Sequence, residues 1–360
     1  MLLLLALQAF PPDPEMPAYT LPELKPRAET LELFRTHVYG RVPSTPFKQL
    51  SQMKEKNPNA MGGAATLKRL EIILLRGGDS LTIQVSLFTP NKAKAPATFL
   101  LICNRPPDNI DPTREKKSPF WPAEEVVARG YGIAAFHVGD VDPDKHDGFK
   151  DGAHKLLDVE PRGPDAWGTI AAWAWGASRV MDYLETDGDV GKVAVIGHSR
   201  GGKTALWAGA QDERFAMAIS SCSGNSGAAI SRRRFAGKES VARINKAFPH
   251  WFCETYKSYG SREDALPVDQ HQLVALLAPR AVAIGSAADD LHADPRGEFL
   301  SASIASAAWA PKKGLGTSEM PPIGKPVDGE GVHYHIREGK HDLTLYDWER
   351  YMDFADKTLR

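Results

Sequence analysis

The sequence has few cysteines, which excludes a fold held together by disulfide bonds. Only Cys103, Cys222 and Cys253 occur among 360 residues, whereas a disulfide framework needs an even and larger number in a short chain. Their spacing also matches no zinc-binding pattern. We therefore expect mostly buried free thiols, with one bridge possible, in a chain that is long enough to bury a large hydrophobic core.

Long hydrophobic runs and an excess of one charge are also missing. No stretch approaches the roughly 18 consecutive apolar residues that a membrane-spanning helix requires. The formal net charge is −1, so composition gives no reason to expect nucleic acid or an anionic membrane as a partner. The triplet Arg232–Arg234 is more typical of a solvated patch than of a binding site. We expect a monomer.

The first nine residues, Met1–Ala9, resemble the apolar core of a signal peptide followed by a small residue at a plausible cleavage site. The positive residues that usually precede such a core are absent. This segment favours a secreted or periplasmic protein. We treat residues 1–18 as a signal remnant and extended leader, and residues 19–360 as one catalytic domain, because no repeat or linker divides them.

What the sequence does contain is a series of short apolar segments that alternate with helical patterns. Residues 67–75 and 81–88 alternate polar and apolar side chains around a glycine-containing turn, which predicts an antiparallel hairpin at a sheet edge. From residue 97 onward, continuous apolar runs separated by helical segments predict a mostly parallel sheet covered on both faces. The predicted strands there are 98–103, 132–138, 193–196, 215–220, 280–285 and 332–336. Residues 140–162 are predicted to be a surface loop, and residues 231–260 an insertion that packs over the sheet end.

The strand at 193–196 ends in Gly197-His198-Ser199-Arg200-Gly201, and a helical pattern follows. This Gly-x-Ser-x-Gly pattern is typical of a nucleophilic serine on a strained turn between a strand and a helix. Glycines are needed on either side because side chains there would collide with the neighbouring strand and helix. The turn would expose the Ser199 hydroxyl and place the Arg200 amide at a helix N-terminus, where it can hold an oxyanion. The alternative is a plain strand-to-helix turn.

A serine nucleophile needs a base and a carboxylate that orients it, in the chain order serine, acid, histidine for this type of sheet. His341 lies after the last predicted strand and before the final helix, so we predict that it is the base; the alternative is a capping or solvent-exposed histidine. The loop after the strand at 280–285 offers three acids. Its spacing favours Asp290 over Asp289, and Asp294 is more typical of a turn or helix cap.

Several segments together resemble the glucuronoyl esterases of carbohydrate esterase family 15, in their bacterial branch. The segments are Gly197–Lys203, Ala265–His271, Leu277–Arg280, Asp294–Phe299 and Gly339–His341. The resemblance implies an α/β-hydrolase, a three-layer sandwich around a mostly parallel sheet with an antiparallel N-terminal hairpin. It also implies cleavage of esters between (4-O-methyl)-glucuronic acid on xylan and lignin alcohols, without a metal or an organic cofactor.

By position, the resemblance makes Ser199 the nucleophile, His341 the base and Asp290 the acid, and it places an oxyanion-supporting arginine at Arg200. Some relatives carry a triad acid in a Glu-Ser-Gly after the strand that follows the elbow. This chain has Cys222-Ser223-Gly224 there, so Asp290 would have to serve alone.

The resemblance also implies a set of residues that bind the sugar. Lys203 corresponds to a lysine that binds sugar hydroxyls, Glu239 to a glutamate that binds uronate hydroxyls, and Trp251 to a tryptophan of the insertion. The alternative for Lys203 is a surface salt bridge. His292 stands where many bacterial relatives have tryptophan, which removes a broad stacking surface from the pocket.

Two other functions remain open on the sequence. One is a different carbohydrate carboxylesterase, such as an acetyl-xylan esterase that acts from the alcohol side of the ester. The other is a carbohydrate-binding protein that has kept this fold but lost catalysis. Arg200 and Lys203 argue for an acyl group that is anionic or rich in hydroxyls, and the intact set of Ser199, Asp290 and His341 argues for an enzyme.

Overall fold

The computed structural model describes residue 10 and residues 12–360. The predicted signal segment Met1–Ala9 therefore lies outside the described residues. Residues 12–26 contain no helix or strand, but the leader is tied to the domain. The Asp13 carboxylate accepts a hydrogen bond from Arg233 Nη2 at 2.6 Å and pairs with Arg296 at 2.8 Å.

The strands of the described chain form one ten-stranded sheet in the spatial order β1-β2-β3-β5-β4-β6-β7-β8-β10-β9. Their bounds are β1 Lys48–Asn59, β2 Ala65–Arg76, β3 Asp79–Pro90, β4 Thr98–Cys103, β5 Gly132–His137, β6 Val193–His198, β7 Phe215–Ser221, β8 Ala281–Ala287, β9 Val327–Asp328 and β10 Val332–Arg337. The strands from β5 across to β10 run parallel. The first three strands and β9 pair antiparallel to their neighbours.

Helices cover both faces of this sheet. They are α1 Arg27–Phe34, α2 Ala60–Gly63, α3 Ala123–Ala128, α4 Gly152–Leu157, α5 Thr169–Leu184, α6 Arg200–Gln211, α7 Val241–Ala247, α8 Glu254–Lys257, α9 Gln270–Ala275, α10 Pro295–Ala305 and α11 Leu345–Thr358. In the described part of the chain, no helix combines the length and the apolar character that crossing a membrane demands.

The strand residues alternate between two hydrophobic cores, which makes the molecule a three-layer sandwich. In β4, Leu100 and Ile102 belong to the core under α5, α6, α9 and α10. Phe99 and Leu101 belong to the core under α3 and α11. Both faces of the parallel strands are therefore buried, which explains their continuous apolar sequences. The predicted α/β-hydrolase architecture is confirmed.

The sequence-based account of the N-terminal strands was incomplete. Strands β2 and β3 form the predicted antiparallel hairpin around Gly77 and Gly78. The prediction that this hairpin forms the sheet edge was wrong, because β1 pairs with the outer side of β2. Strand β1 was missed because an exposed edge strand buries little apolar surface, and its residues are almost entirely polar.

Two other segments contain more structure than the sequence suggested. The predicted surface loop at 140–162 carries α4, and the insertion at 231–260 carries α7 and α8. The loop is anchored by the buried Asp142, whose carboxylate accepts hydrogen bonds from His154 Nδ1 at 2.8 Å and Thr169 Oγ1 at 2.9 Å. The three cysteines are free and buried, as expected.

Candidate active site

Ser199 occupies a sharp turn between β6 and α6. Its backbone has φ 57° and ψ −125°, a region that side chains strongly disfavour and that is held here by the surrounding structure. A side chain at Gly197 would collide with the backbone carbonyl of Gly201. The glycine pattern is therefore required by the close approach of strand and helix, and the serine is presented at the carboxyl end of the sheet.

The start of α6 provides a place for negative charge. The amides of Gly202 and Lys203 donate to the Ser199 carbonyl at 2.9 and 3.1 Å. The amide of Arg200 begins the helix, and such first-turn N–H groups have no carbonyl partner within the helix. Together with the positive end of the helix dipole, this amide can stabilise an oxyanion formed beside Ser199.

His341 and Asp290 meet at the same end of the sheet. Asp290 lies just after β8, and its Oδ2 atom is 2.5 Å from His341 Nδ1. The histidine side chain is 43% exposed and the aspartate 6%, so the carboxylate is sheltered while the ring opens to solvent. This pairing leaves His341 Nε2 free to exchange protons with a neighbouring group.

Backbone hydrogen bonds join the loops that carry these two residues. The amide of Ala288 donates to the Arg337 carbonyl at 2.8 Å, and that of Asp289 to the Gly339 carbonyl at 3.0 Å. Asp289 itself is exposed. Asp294 accepts from Gly297 N at the start of α10 at 3.0 Å. Of the three acids considered for this loop, the structure therefore brings Asp290 to the histidine.

The ring of His341 also lies beside the serine turn. Its centroid is 4.4 Å from that of His198, which immediately precedes Ser199. Within the described residues, the Ser199 hydroxyl and the His341 ring are not hydrogen-bonded to each other. Such bonds commonly tighten only when substrate is bound. The structure thus brings the predicted nucleophile, base and acid together at the carboxyl end of the sheet.

The Arg200 side chain is held by the loop at 140–162. Its guanidinium forms an ion pair with Asp144 and lies 5.3 Å from the ring centroid of Trp251. Asp144 also accepts hydrogen bonds from His250 Nε2 at 3.0 Å and Trp251 Nε1 at 2.8 Å. Burial would raise the pKa of Asp144, but hydrogen bonds from His250 and Trp251 and the charge of the nearby guanidinium lower it to about 2. This carboxylate therefore holds the Arg200 side chain in place.

These positions can be compared with known proteins. The family model for the fungal glucuronyl esterases matches residues 115–311, more than half of the chain. A carbohydrate esterase from an unknown prokaryotic organism is 39% identical over 96% of this chain and 90% of its own. The chain belongs to the glucuronoyl esterase family. The bacterial resemblance seen in the sequence is confirmed, and the protein is a carboxylic ester hydrolase.

Two further relatives support the family assignment. The solved glucuronoyl esterase from Solibacter usitatus has a TM-score of 0.89 and 39% identity, covering 96% of this chain and 99% of its own. A protein named 4-O-methyl-glucuronoyl methylesterase from Hypocrea jecorina is 38% identical over 71% of this chain. The alignment spans about half of that fungal protein, 51% of its length.

In this glucuronoyl esterase, Lys203 is buried rather than exposed on the surface. Its Nζ atom donates to the Ser223 and Asn225 carbonyls at 2.7 and 2.5 Å and to Glu239 Oε2 at 2.8 Å. A lysine has three N–H donors, so these three acceptors use all of them. Lys203 as a direct sugar ligand stays a prediction, and in this structure its evident effect is to hold Glu239.

Replacing Lys203 by methionine is expected to destabilise the fold by about 3–5 kcal/mol, because it leaves the Glu239 carboxylate without its buried cation. Chemical denaturation measures the change. The matched control is Lys257→Met, which removes an exposed pair with Glu254 and should cost no more than about 1 kcal/mol. Equal losses in the two variants would contradict a buried role for Lys203.

Trp251 and His292 were also predicted to bind substrate, but the first is buried and the second is exposed. Trp251 is 3% exposed and stacks on Phe248 with ring centroids 3.8 Å apart. Its faces are therefore largely covered. His292 is exposed, and its Nδ1 atom lies 2.7 Å from the Gly237 carbonyl of the insertion. Contact of either ring with a sugar stays a prediction.

Sequence reasoning assigned no role to Glu298, a buried carboxyl beneath the site. Its Oε1 accepts from the amides of Ser223 and Gly224 at 2.7 and 3.0 Å, and its Oε2 from Ser286 Oγ at 2.6 Å. Burial is the main cause that raises the pKa of Glu298 to about 8, and the charge of Asp290 adds to it. A carboxyl residue directly before the large apolar pair Phe299 and Leu300 of α10 was the available signal.

Among the described residues, one group of three side chains is close enough together to bind a metal ion. Ligand atoms of His198, Cys222 and His341 lie within 4.8 Å of one another. Burial raises the pKa of the Cys222 thiol well above its usual value and lowers that of His198 well below. A metal would have to displace the thiol proton of the buried Cys222, so these three side chains are poorly suited to bind one. Catalysis without a metal or cofactor stays a prediction.

Proposed function

We propose that this protein hydrolyses esters of (4-O-methyl)-D-glucuronic acid, such as the lignin–carbohydrate ester bonds of glucuronoxylan, by Ser-His-Asp acyl transfer. The observation that carries the mechanism is the 2.5 Å contact between His341 Nδ1 and Asp290, beside the strained turn at Ser199. The substrate class rests on the family, which includes the relative named 4-O-methyl-glucuronoyl methylesterase.

In the first step, Ser199 Oγ attacks the ester carbonyl while His341 Nε2 takes the hydroxyl proton. Asp290 holds the ring in the tautomer that has its proton on Nδ1. The Arg200 amide stabilises the negative oxygen of the tetrahedral intermediate, and its guanidinium adds positive charge at the rim. His341 then protonates the departing alcohol, which leaves a glucuronoyl ester on Ser199.

Water completes the reaction. His341 removes a proton from the attacking water, the second tetrahedral intermediate collapses, and Ser199 regains its proton as glucuronate leaves. In this scheme Lys203 does not touch the sugar but holds Glu239 through its Oε2 atom. The other oxygen of Glu239, Oε1, has no protein donor among the described residues, and we assign it to a sugar hydroxyl.

The test compares two ester orientations. Methyl and benzyl esters of glucuronic acid carry the uronate on the acyl side, whereas acetylated xylan carries the sugar on the alcohol side. We expect kcat/KM for the glucuronate esters to exceed that for acetylated xylan by at least about 100-fold, which corresponds to roughly 2.7 kcal/mol of transition-state binding. The reverse preference would indicate an acetyl-xylan esterase, and no turnover of either would indicate a binding protein.

Three other features complete the proposal. Residues 19–360 act as one catalytic domain, with the insertion at 231–260 forming a wall of the site. The protein works as a monomer. The segment Met1–Ala9 directs it out of the cytoplasm, where a polysaccharide substrate would be met.

A further inference from the structure

Strand β10 carries three polar residues on its α11-facing side, although the strand is buried throughout. His333, His335 and Arg337 alternate with Tyr334 and Ile336, so all three project to the same face. Space for their large side chains comes from the adjoining strand. The residues of β8 that pair with them are all small: Ala283, Gly285 and Ala287.

Arg337 connects this face to the loop that carries His341. Its Nη2 atom donates to the Lys340 carbonyl at 3.1 Å and to the Asp342 carbonyl at 2.6 Å, the two carbonyls that flank His341. Its Nε atom donates to Asp347 Oδ2 at 2.8 Å. One guanidinium therefore fixes the backbone on both sides of the proposed base and joins it to the first turn of α11.

Asp347 is the fixed point of this arrangement. It is fully buried, and its Oδ2 atom also accepts from the amide and hydroxyl of Thr344 at 2.8 Å each, which caps α11. Its Oδ1 atom lies 2.9 Å from His335 Nε2. Burial opposes its ionisation, but the hydrogen bonds from His335 and Thr344 and the charge of Arg337 outweigh burial and lower the pKa of Asp347. It is therefore a carboxylate and accepts hydrogen bonds only.

The two histidines of the strand continue the chain of hydrogen bonds. His335 Nδ1 lies 2.9 Å from His333 Nε2, and His333 Nδ1 lies 2.6 Å from Asp328 Oδ1. Each of the three contacts from Asp347 to Asp328 needs one proton, because both ends are carboxylates. Two neutral imidazoles supply only two protons. The pair must therefore carry one proton more than two neutral rings.

The position of the extra proton follows from the surroundings. Burial is the main cause that lowers the pKa of His333 to about 4, and Lys357 pairs with the adjacent Asp328 at 2.7 Å. The extra proton therefore belongs on His335, between Asp347 and the lone pair of His333 Nε2. From α11 the Tyr351 ring also packs against His335, with centroids 5.1 Å apart.

We propose that Arg337 is a positioning residue for His341, and that His335 is an imidazolium. The charge of His335 balances the Asp347 carboxylate, which accepts the hydrogen bond from Arg337 Nε. The inference depends on the proposed role of His341 as the base. It assigns a functional reason to the polar face of β10: the base sits on a loop, and a loop holds a catalytic ring accurately only when its backbone is fixed.

The kinetic test uses Arg337→Met, with Arg350→Met as the matched control, because Arg350 lies on α11 and pairs with Asp353 without contacting the His341 loop. We expect Arg337→Met to lower kcat for a benzyl glucuronate ester by about 10- to 100-fold, with KM changed by no more than about two-fold. Arg337→Lys keeps the charge but not the fork, and we expect it to restore part of kcat.

The outcomes are separable. A folded Arg337→Met protein with the kcat of the control would overturn the positioning role, and a fully active Arg337→Lys would overturn the need for the fork. If Arg337→Met does not fold, Arg337→Lys alone decides, since a folded variant with reduced kcat supports the role. Inactivity of Ser199→Ala and His341→Ala alongside an unaffected Arg337→Met would leave the proposed function intact and remove only this inference.

The proton count is tested in the unaltered protein. Nitrogen-15 NMR of the histidine rings at pH 7 should show a ring with both nitrogens protonated whose signals are lost in the His335→Gln variant, which assigns them to His335. If the ring assigned to His335 carries a proton on only one nitrogen, the imidazolium is overturned.

Discussion

Ser199→Ala is expected to lower kcat for a benzyl glucuronate ester by about 10⁵- to 10⁶-fold, the size of effect seen when a serine nucleophile of a triad is removed. Without the hydroxyl no acyl-enzyme can form. The residual rate then comes from binding and from the oxyanion site at the Arg200 amide. Initial-rate measurement of alcohol release provides the readout, with purified protein at high concentration to detect the small remainder.

The matched control is Ser303→Ala. Ser303 lies in α10, and its hydroxyl donates to the Thr317 carbonyl at 2.8 Å. This variant should keep its activity. A fluorophosphonate provides an independent check, because it should label the unaltered protein and the control but not Ser199→Ala. Turnover by Ser199→Ala within about ten-fold of the unaltered protein would show that another group is the nucleophile.

The second large effect is expected for Asp290→Asn, which should lower kcat by about 10⁴-fold. An asparagine amide facing Nδ1 would favour the tautomer with its proton on Nε2, which cannot accept the proton of Ser199. It would also remove the negative charge that stabilises the imidazolium. The fold should be little affected, because asparagine has nearly the same shape as aspartate.

No other carboxylate in the described site is placed to replace Asp290. Asp289 is exposed, Asp294 pairs with the buried Arg233 at 2.9 Å, and Glu298 is enclosed by its own donors. Asp289→Asn is therefore the control and should keep nearly full activity. A mild loss of kcat in Asp290→Asn together with a severe loss in Asp289→Asn would show that Asp289, not Asp290, is the acid.

Cys222 strengthens this expectation. It follows β7, and its sulfur lies within 4.8 Å of a ring nitrogen of His341. Burial raises the pKa of its thiol well above the ordinary value, so at neutral pH it is uncharged and cannot orient an imidazole by charge. The sequence-based inference that the acid must come from the loop after β8 agrees with the position of Asp290 against His341.

The parts of the site that the sequence revealed are those with local chemical requirements. The turn at Ser199 needs glycine at Gly197 because a strand and a helix touch there, and this need is visible in five consecutive residues. The parallel strands were visible because both of their faces are buried. The edge strand β1 was not, since a solvent-exposed strand places few apolar residues in the sequence.

The parts that the sequence did not reveal depend on partners far along the chain. Lys203 was predicted to bind sugar hydroxyls, with a surface salt bridge as the alternative, but the ammonium group is buried among two carbonyls and Glu239. The alternation of His333, His335 and Arg337 was present in the sequence. Its meaning was not, because Asp347 and the carbonyls that flank His341 meet these residues only after folding.

The sequence by itself determined the fold class and the serine turn, because backbone strain and burial act over a few neighbouring residues, and it predicted the order of nucleophile, acid and base. Only the tertiary structure decided which of three acids reaches His341, where the Lys203 ammonium goes, and how many protons the buried histidines of β10 must share. Those outcomes depend on distances between segments that are remote in the chain, and hydrogen bonding and charge desolvation change steeply over one or two ångströms.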